Sequence, residues 1–127
     1  MQLSQPFVIA VVDDDERILW SLESLLESAD YSVRVFVSAG AFFESGCLQQ
    51  IDCLISDIDM PCMDGFELLR TVRGARPELP TILVTGYPDR LKRMPAQGEN
   101  ASAVFTKPFH GPQLLAAVED ALRGARK

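Results

Sequence analysis

The chain has 127 residues, 47% hydrophobic and 24% charged, a balance that is typical of one soluble globular domain and excludes a disordered polypeptide. The formal net charge of −6 is uneven: residues 1–67 carry 13 acids and two bases, whereas residues 68–127 carry five acids and ten bases. The strongly acidic first half argues against direct nucleic-acid binding, which needs a basic surface, and favours divalent cations as partners.

Ten short segments predict a regular alternation of strands and helices. In chain order they are a strand at 7–12, a helix at 16–29, a strand at 33–37, a helix at 39–46, a strand at 53–56, a helix at 65–74, a strand at 81–84, a helix at 88–99, a strand at 103–105 and a helix at 113–123. Four strands are nearly continuous apolar runs, as in a parallel sheet covered on both faces, whereas 33–37 alternates and suits a position nearer the sheet edge. The longest apolar run, 7–12, is too short to cross a bilayer, so we expect a cytoplasmic protein with no membrane partner.

The predicted helices differ in the strength of their patterns. Residues 16–29 carry an apolar stripe at helical spacing, and Asp15 stands where an N-cap is needed. Residues 88–99 show the weakest pattern, because Pro95 and Gly98 interrupt it. Five strands alternating with five helices predict an α/β fold: a single-domain, doubly wound (βα)5 sandwich with a five-stranded parallel sheet.

Polar side chains follow four of the predicted strands. Asp13 and Asp14 follow the first strand, Asp57 the third, Thr85 the fourth and Lys107 the fifth. Because the carboxyl ends of parallel strands meet at one edge of a sheet, we expect these side chains to converge. Carboxylates about 4–6 Å apart repel unless a cation joins them, and Mg²⁺, with Mn²⁺ as an alternative, prefers such oxygen ligands. An aspartate in this setting can act as a nucleophile and form an acyl phosphate.

Four motifs occupy these strand ends: Val12-Asp13-Asp14, the block SDIDMPCMDG at 56–65, Thr85-Gly86, and Lys107-Pro108-Phe109. In their order and separations they resemble the response-regulator receiver domain, the CheY-like module of two-component signalling. The resemblance covers residues 6–124, leaves 125–127 as a tail or the start of a linker, and implies a flavodoxin-like arrangement of the sheet.

The resemblance also implies a role for each of these residues. The phosphoacceptor is Asp57. The metal ligands are Asp13, Asp14, Asp57 and the main-chain carbonyl of Asp59. The phosphoryl group is contacted by Thr85, which rearranges to switch the domain, and by Lys107, which pairs with its oxygens.

By the same resemblance the chain is a phosphorylation-dependent switch. A sensor histidine kinase or a phosphotransfer protein donates the phosphoryl group, and the change alters binding to a downstream protein or to an output domain outside this sequence, as in a transcriptional regulator. Phosphorylation-dependent dimerisation is a further way to signal. We expect Mg²⁺-dependent self-phosphorylation and self-dephosphorylation, without turnover of an external substrate, so the chain is not expected to be an enzyme in that sense.

The resemblance also singles out two positions at the border of the site and one that departs from the usual pattern. Asp59 and Tyr87 are expected to border the site and to influence how long the phosphoryl group survives, with the Asp59 side chain pointing outward. Val104 stands where receivers generally carry an aromatic residue that couples the site to the surface. The nearest aromatic, Phe105, is one step along the strand and is expected on the opposite face of the sheet.

Two other functions stay open from the sequence. Val104 and the weak pattern at 88–99 suit a binding-only pseudo-receiver that never accepts phosphate, although every residue of the implied site is present. The Asp-Ile-Asp sequence at 57–59 superficially fits an aspartyl-nucleophile phosphatase of the haloacid dehalogenase type. Those enzymes carry the motif on their first strand, and here it follows the third.

Overall fold

The computed structural model describes residues 6–87 and 101–125. Its elements in chain order are β1 (Val8–Val12), α1 (Glu16–Ser28), β2 (Ser32–Phe36), α2 (Ala39–Glu44), a 3₁₀ turn (Cys47–Gln49), β3 (Cys53–Asp57), α3 (Gly65–Ala75), β4 (Thr81–Thr85), β5 (Ala103–Thr106) and α4 (Gly111–Ala125). The predicted helix at 88–99 lies outside the described residues. The other nine predicted elements are present, and the predicted α/β fold class is confirmed.

All five strands are parallel and lie in the order β2-β1-β3-β4-β5. The chain therefore runs outward from β1 to β2 and then returns to the other side of β1 as β3. This reversal places the switch in strand order between β1 and β3, where doubly wound sheets bind their ligands.

The core lies on both faces of the sheet. Alternate residues of β1 point to opposite faces, so Ile9 and Val11 pack with α1 and α4, whereas Ala10 and Val12 pack with α2 and α3. β3 and β4 are buried along their whole length, while Ser32 and Arg34 of β2 are exposed, which confirms its predicted place at the sheet edge. Within residues 6–87 and 101–125, no helix has the length and apolar character needed to span a membrane.

The register of the strands aligns their carboxyl ends. Val12 of β1 pairs with Ser56, and Asp57 of β3 pairs with Val84. In the same way Thr85 of β4 pairs with Thr106. Asp57 and Thr85 are the last residues of their strands, while Asp13 and Lys107 directly follow theirs. The polar residues at the strand ends therefore lie at the same edge of the sheet, as the sequence predicts.

The start of α3 is fixed against the end of β3. Asp64 caps the helix by accepting the Glu67 N–H at 2.9 Å, and the Glu67 side chain accepts the Asp64 N–H at 3.2 Å in return. A Cβ atom on Gly65 would lie 2.6 Å from the Asp57 carbonyl oxygen and 2.7 Å from Ile58 Cα. Since both neighbours are backbone atoms, only glycine lets the helix begin this close to the strand.

Gly65→Ala is expected to lower the free energy of unfolding by about 2 kcal/mol, since the added methyl group must push the backbone of Asp57 and Ile58 away. The matched control is Gly74→Ala in the same helix, where an added Cβ meets nothing within 4 Å. That change should raise stability by about 0.5–1 kcal/mol, because alanine is the better helix former. Urea unfolding of the three proteins measures both effects, and equal stability of the two variants would contradict the close-contact explanation.

Candidate functional site

Three carboxylates meet at the carboxyl ends of β1 and β3. Asp13, Asp14 and Asp57 each place one oxygen within 4.8 Å of the others. Asp13 and Asp57 are only 2% and 4% exposed, whereas Asp14 is exposed. The cluster is therefore buried at its base and open to solvent on the Asp14 side, so that an ion or a phosphoryl donor can approach it.

Folding buries the Asp57 carboxyl group beside other acids, which makes its ionised form less stable than it would be in water. Burial, followed by the nearby charge of Asp13, raises the pKa of Asp57 from 3.8 to about 6. Within the described ranges, Oδ1 of Asp57 is buried and receives no hydrogen bond. A buried oxygen of this kind, with two further carboxylates beside it, fits a hard divalent cation such as Mg²⁺, which would supply the missing positive charge.

Lys107 brings one positive charge to the cluster from the end of β5. Its Nζ donates to Asp13 Oδ2 at 3.1 Å and lies 3.5 Å from Asp57 Oδ1. Burial alone would lower the pKa of Lys107, but the carboxylates of Asp13 and Asp57 outweigh it and the pKa is raised. Lys107 is therefore an ammonium at neutral pH, although one ammonium does not balance three carboxylates.

Asp13 is buried by its position at the end of β1 and by its contacts. Burial raises its pKa, in spite of the opposing Asp15 N–H, which Asp13 Oδ1 accepts at 2.9 Å, and the Lys107 ammonium. That N–H also fixes the turn into α1, where Asp15 is the N-cap and accepts the Arg17 N–H, as predicted. Asp13 thus belongs to the cluster, while Asp15 has a structural role in starting the helix.

A second group of polar atoms lies at the end of β4, beside the carboxylates. The Thr85 hydroxyl, with no exposed surface, donates to Asp59 Oδ2 at 2.6 Å and accepts the Tyr87 N–H at 2.9 Å. The expectation that the Asp59 side chain points outward is wrong. A buried hydroxyl needs an acceptor, and the half-buried Asp59 carboxylate supplies it from the neighbouring strand end.

The structure also places the remaining predicted positions. The Tyr87 side chain is 62% exposed, at the rim beside Thr85. Val104 packs against Ile58, Leu69 and Leu83, on the face that α3 covers. Phe105 packs on the opposite core with α1 and α4, so no aromatic side chain from position 105 replaces the one that is missing at 104. The main-chain carbonyl of Asp59 stays a predicted metal ligand.

Comparisons with known proteins agree on one family. The family model described as the response regulator receiver domain matches residues 9–119. The transcriptional regulatory protein FixJ of Bradyrhizobium diazoefficiens is 35% identical over 92% of this chain and 57% of its own length. The DNA-binding transcriptional regulator NtrC of Escherichia coli K12 is 35% identical over 91% of this chain and 24% of its own length. The chain therefore spans about half of one relative and a quarter of the other.

A solved structure shows the same fold. The crystal structure of a CheY-like response regulator receiver domain protein from Methanospirillum hungatei superposes with a TM-score of 0.86 and 29% sequence identity. The match covers 95% of this chain and 97% of that protein.

The buried carboxylates predict how stability depends on pH in metal-free buffer. Unfolded, the Asp57 carboxyl titrates near 3.8, whereas in the folded chain its pKa is about 6. The folded state holds more protons between these values, so the free energy of unfolding should fall as the pH rises through that window, by on the order of 2 kcal/mol. Asp13, whose pKa is also raised, contributes with the same sign.

Asp57→Asn should remove most of this fall and make the metal-free protein more stable at pH 7, because the amide has no charge to bury. The control is Asp30→Asn, which removes one exposed acid at a positive φ of 71° that asparagine also tolerates. Urea unfolding at several pH values with a chelator present measures the effect. The same fall with pH in the Asp57→Asn and wild-type proteins would contradict it.

Proposed function

The chain belongs to the response regulator receiver domain family, and from that premise we propose that it is a signalling switch that accepts a phosphoryl group on Asp57 in the presence of Mg²⁺ or Mn²⁺. A sensor histidine kinase or a phosphotransfer protein is the proposed donor. The observation that carries the proposal is the buried Asp57 carboxylate, which lies at the end of β3 with two acids and one ammonium around it. The metal ligands in the proposal are Asp13, Asp14, Asp57 and the carbonyl of Asp59.

The proposed reaction uses Asp57 as the nucleophile. One of its carboxylate oxygens attacks the phosphorus of a phosphohistidine; the new P–O bond forms as the P–N bond breaks, and the imidazole nitrogen keeps the electron pair. With a pKa of about 6, Asp57 is mostly ionised at neutral pH and able to attack. A bound Mg²⁺ supplies positive charge to the acids and to the phosphoryl oxygens.

Lys107 and Thr85 act on the phosphoryl group from the other strand ends. The Lys107 ammonium already lies 3.5 Å from Asp57 Oδ1, so it can neutralise charge on an oxygen of the incoming group without moving far. The Thr85 hydroxyl is the hydrogen-bond donor proposed to turn toward the phosphorylated side chain. Because the new group carries a charge of about −1.5 to −2, it stabilises whichever arrangement brings these donors to it.

The output is proposed to lie in a further part of a transcriptional regulator or in a separate partner protein. FixJ and NtrC are transcriptional regulators, and each is longer than the segment that this chain matches. Phosphorylation-dependent dimerisation would serve either arrangement. We propose that the domain does not turn over external substrates, and that the phosphoryl group is lost by hydrolysis at Asp57 itself.

Acetyl phosphate with Mg²⁺ is expected to add one phosphoryl group to the protein, measured as intact mass. Chelation of the metal should abolish the addition, because the carboxylates would then repel the donor. Asp57→Asn should stay unlabelled, whereas Asp30→Asn, an equal change at an exposed position, should be labelled like the wild type. A wild-type protein that gains no mass, or an Asp57→Asn protein that gains as much, would contradict the proposed function.

A further inference from the structure

The Thr85 hydroxyl is already engaged in the unphosphorylated chain. A hydroxyl has a single hydrogen to donate, and two acceptors lie near it: Asp59 Oδ2 at 2.6 Å and the Tyr87 carbonyl oxygen at 3.3 Å. The contact with Asp59 is much the shorter, and a carboxylate is the stronger acceptor. Thr85 therefore donates its hydrogen bond to Asp59, and its oxygen accepts the Tyr87 N–H at 2.9 Å.

The proposed function requires the same hydrogen for a different acceptor. A phosphoryl oxygen on Asp57 can accept from Thr85 only if the bond to Asp59 is broken, since one O–H cannot serve both at full strength. We propose that Asp59 is a positioning residue that competes with the phosphoryl group for the Thr85 hydroxyl and so holds the switch in its resting arrangement. This inference rests on the proposed function, because it concerns what happens after Asp57 is modified.

The register of the sheet places both Asp57 and Asp59 near the Thr85 hydroxyl. Asp57 of β3 pairs with Val84 of β4, so Thr85 lies one residue beyond the acceptor on the adjacent strand. Asp59 lies two residues beyond Asp57, in the loop that follows β3, and its carboxylate reaches the Thr85 hydroxyl at the end of β4.

The competition has an energetic consequence. A hydrogen bond to a charged acceptor is roughly twice as strong as one between neutral groups. While this bond is formed, Thr85 is not available to the phosphoryl group, so only the share of molecules in which the bond is broken can donate to it. The apparent affinity of any phosphoryl-like ligand is lowered in proportion to that share. Asp59 thereby sets how much of the phosphoryl group's binding free energy is used to release Thr85.

The test uses beryllofluoride with Mg²⁺ as the phosphoryl mimic and measures its apparent Kd for four proteins. These are the wild type, Asp59→Asn, Thr85→Val and the double variant. Asp59→Asn should tighten binding in both backgrounds, because it removes a negative charge beside an anion site. The gain should be about fivefold larger when the Thr85 hydroxyl is present, because only then does the change also weaken a competing hydrogen bond.

Two further measurements separate this competition from a general charge or folding effect. Thr85→Ser keeps the hydroxyl, and the larger gain from Asp59→Asn should be restored in that background. In two-dimensional NMR the Tyr87 amide, which donates to the Thr85 oxygen, should shift in Asp59→Asn toward its position in the beryllofluoride complex. If valine does not fit at the buried position, Thr85→Ala provides the same comparison.

The outcomes are distinguishable from failure of the proposed function. A wild-type protein that binds no beryllofluoride with Mg²⁺ would overturn the proposed function itself, and this inference with it. Binding by the wild type, together with an equal gain from Asp59→Asn in the threonine and valine backgrounds, would overturn this inference and leave the proposed function intact.

Discussion

The site contains more negative than positive charge, because two buried carboxylates, Asp13 and Asp57, share the single ammonium of Lys107. Buried charges are tolerated only when they are paired, and here the pairing is incomplete because Lys107 donates to Asp13 and lies farther from Asp57. An additional positive charge at the site would therefore be stabilising. The raised pKa of Asp57 has the same origin, because burial and the negative charge of Asp13 favour the neutral carboxyl group in the folded chain.

The scaffold supports this imbalance through its strand register. Parallel pairing brings strand ends from distant parts of the sequence to one edge, so that Lys107 meets Asp13 across 94 residues of chain. The fully buried strands β3 and β4 hold Asp57 and Thr85 at adjacent strand ends. The close approach of Gly65 to the backbone of Asp57 and Ile58 fixes one end of the loop that carries Asp59. The stability of the core thus offsets the cost of gathering like charges in one place.

The sequence was sufficient for the fold and for the meeting of Asp13, Asp14, Asp57 and Lys107, because both follow from apolar periodicity and from the geometry of parallel strands. Element ends were less predictable. The helix predicted at 39–46 ends at Glu44, because Gly46 adopts a left-handed φ of 72° that stops a right-handed helix. The hydrogen bond between Asp59 and Thr85 was missed because it depends on where a side chain in the loop after β3 points relative to the end of β4, and the pattern of residue types does not give that direction.

The position of Tyr87 has a consequence for how a signal could leave the site. Its backbone N–H is bonded to the buried Thr85 oxygen, while its ring is 62% exposed. The buried Thr85 side chain and the exposed ring are thus only two residues apart along the backbone. Tyrosine rings combine apolar area with a polar tip and are common in protein contacts. In this chain, where position 104 is valine, Tyr87 joins the buried Thr85 oxygen to an exposed aromatic ring through the main chain alone.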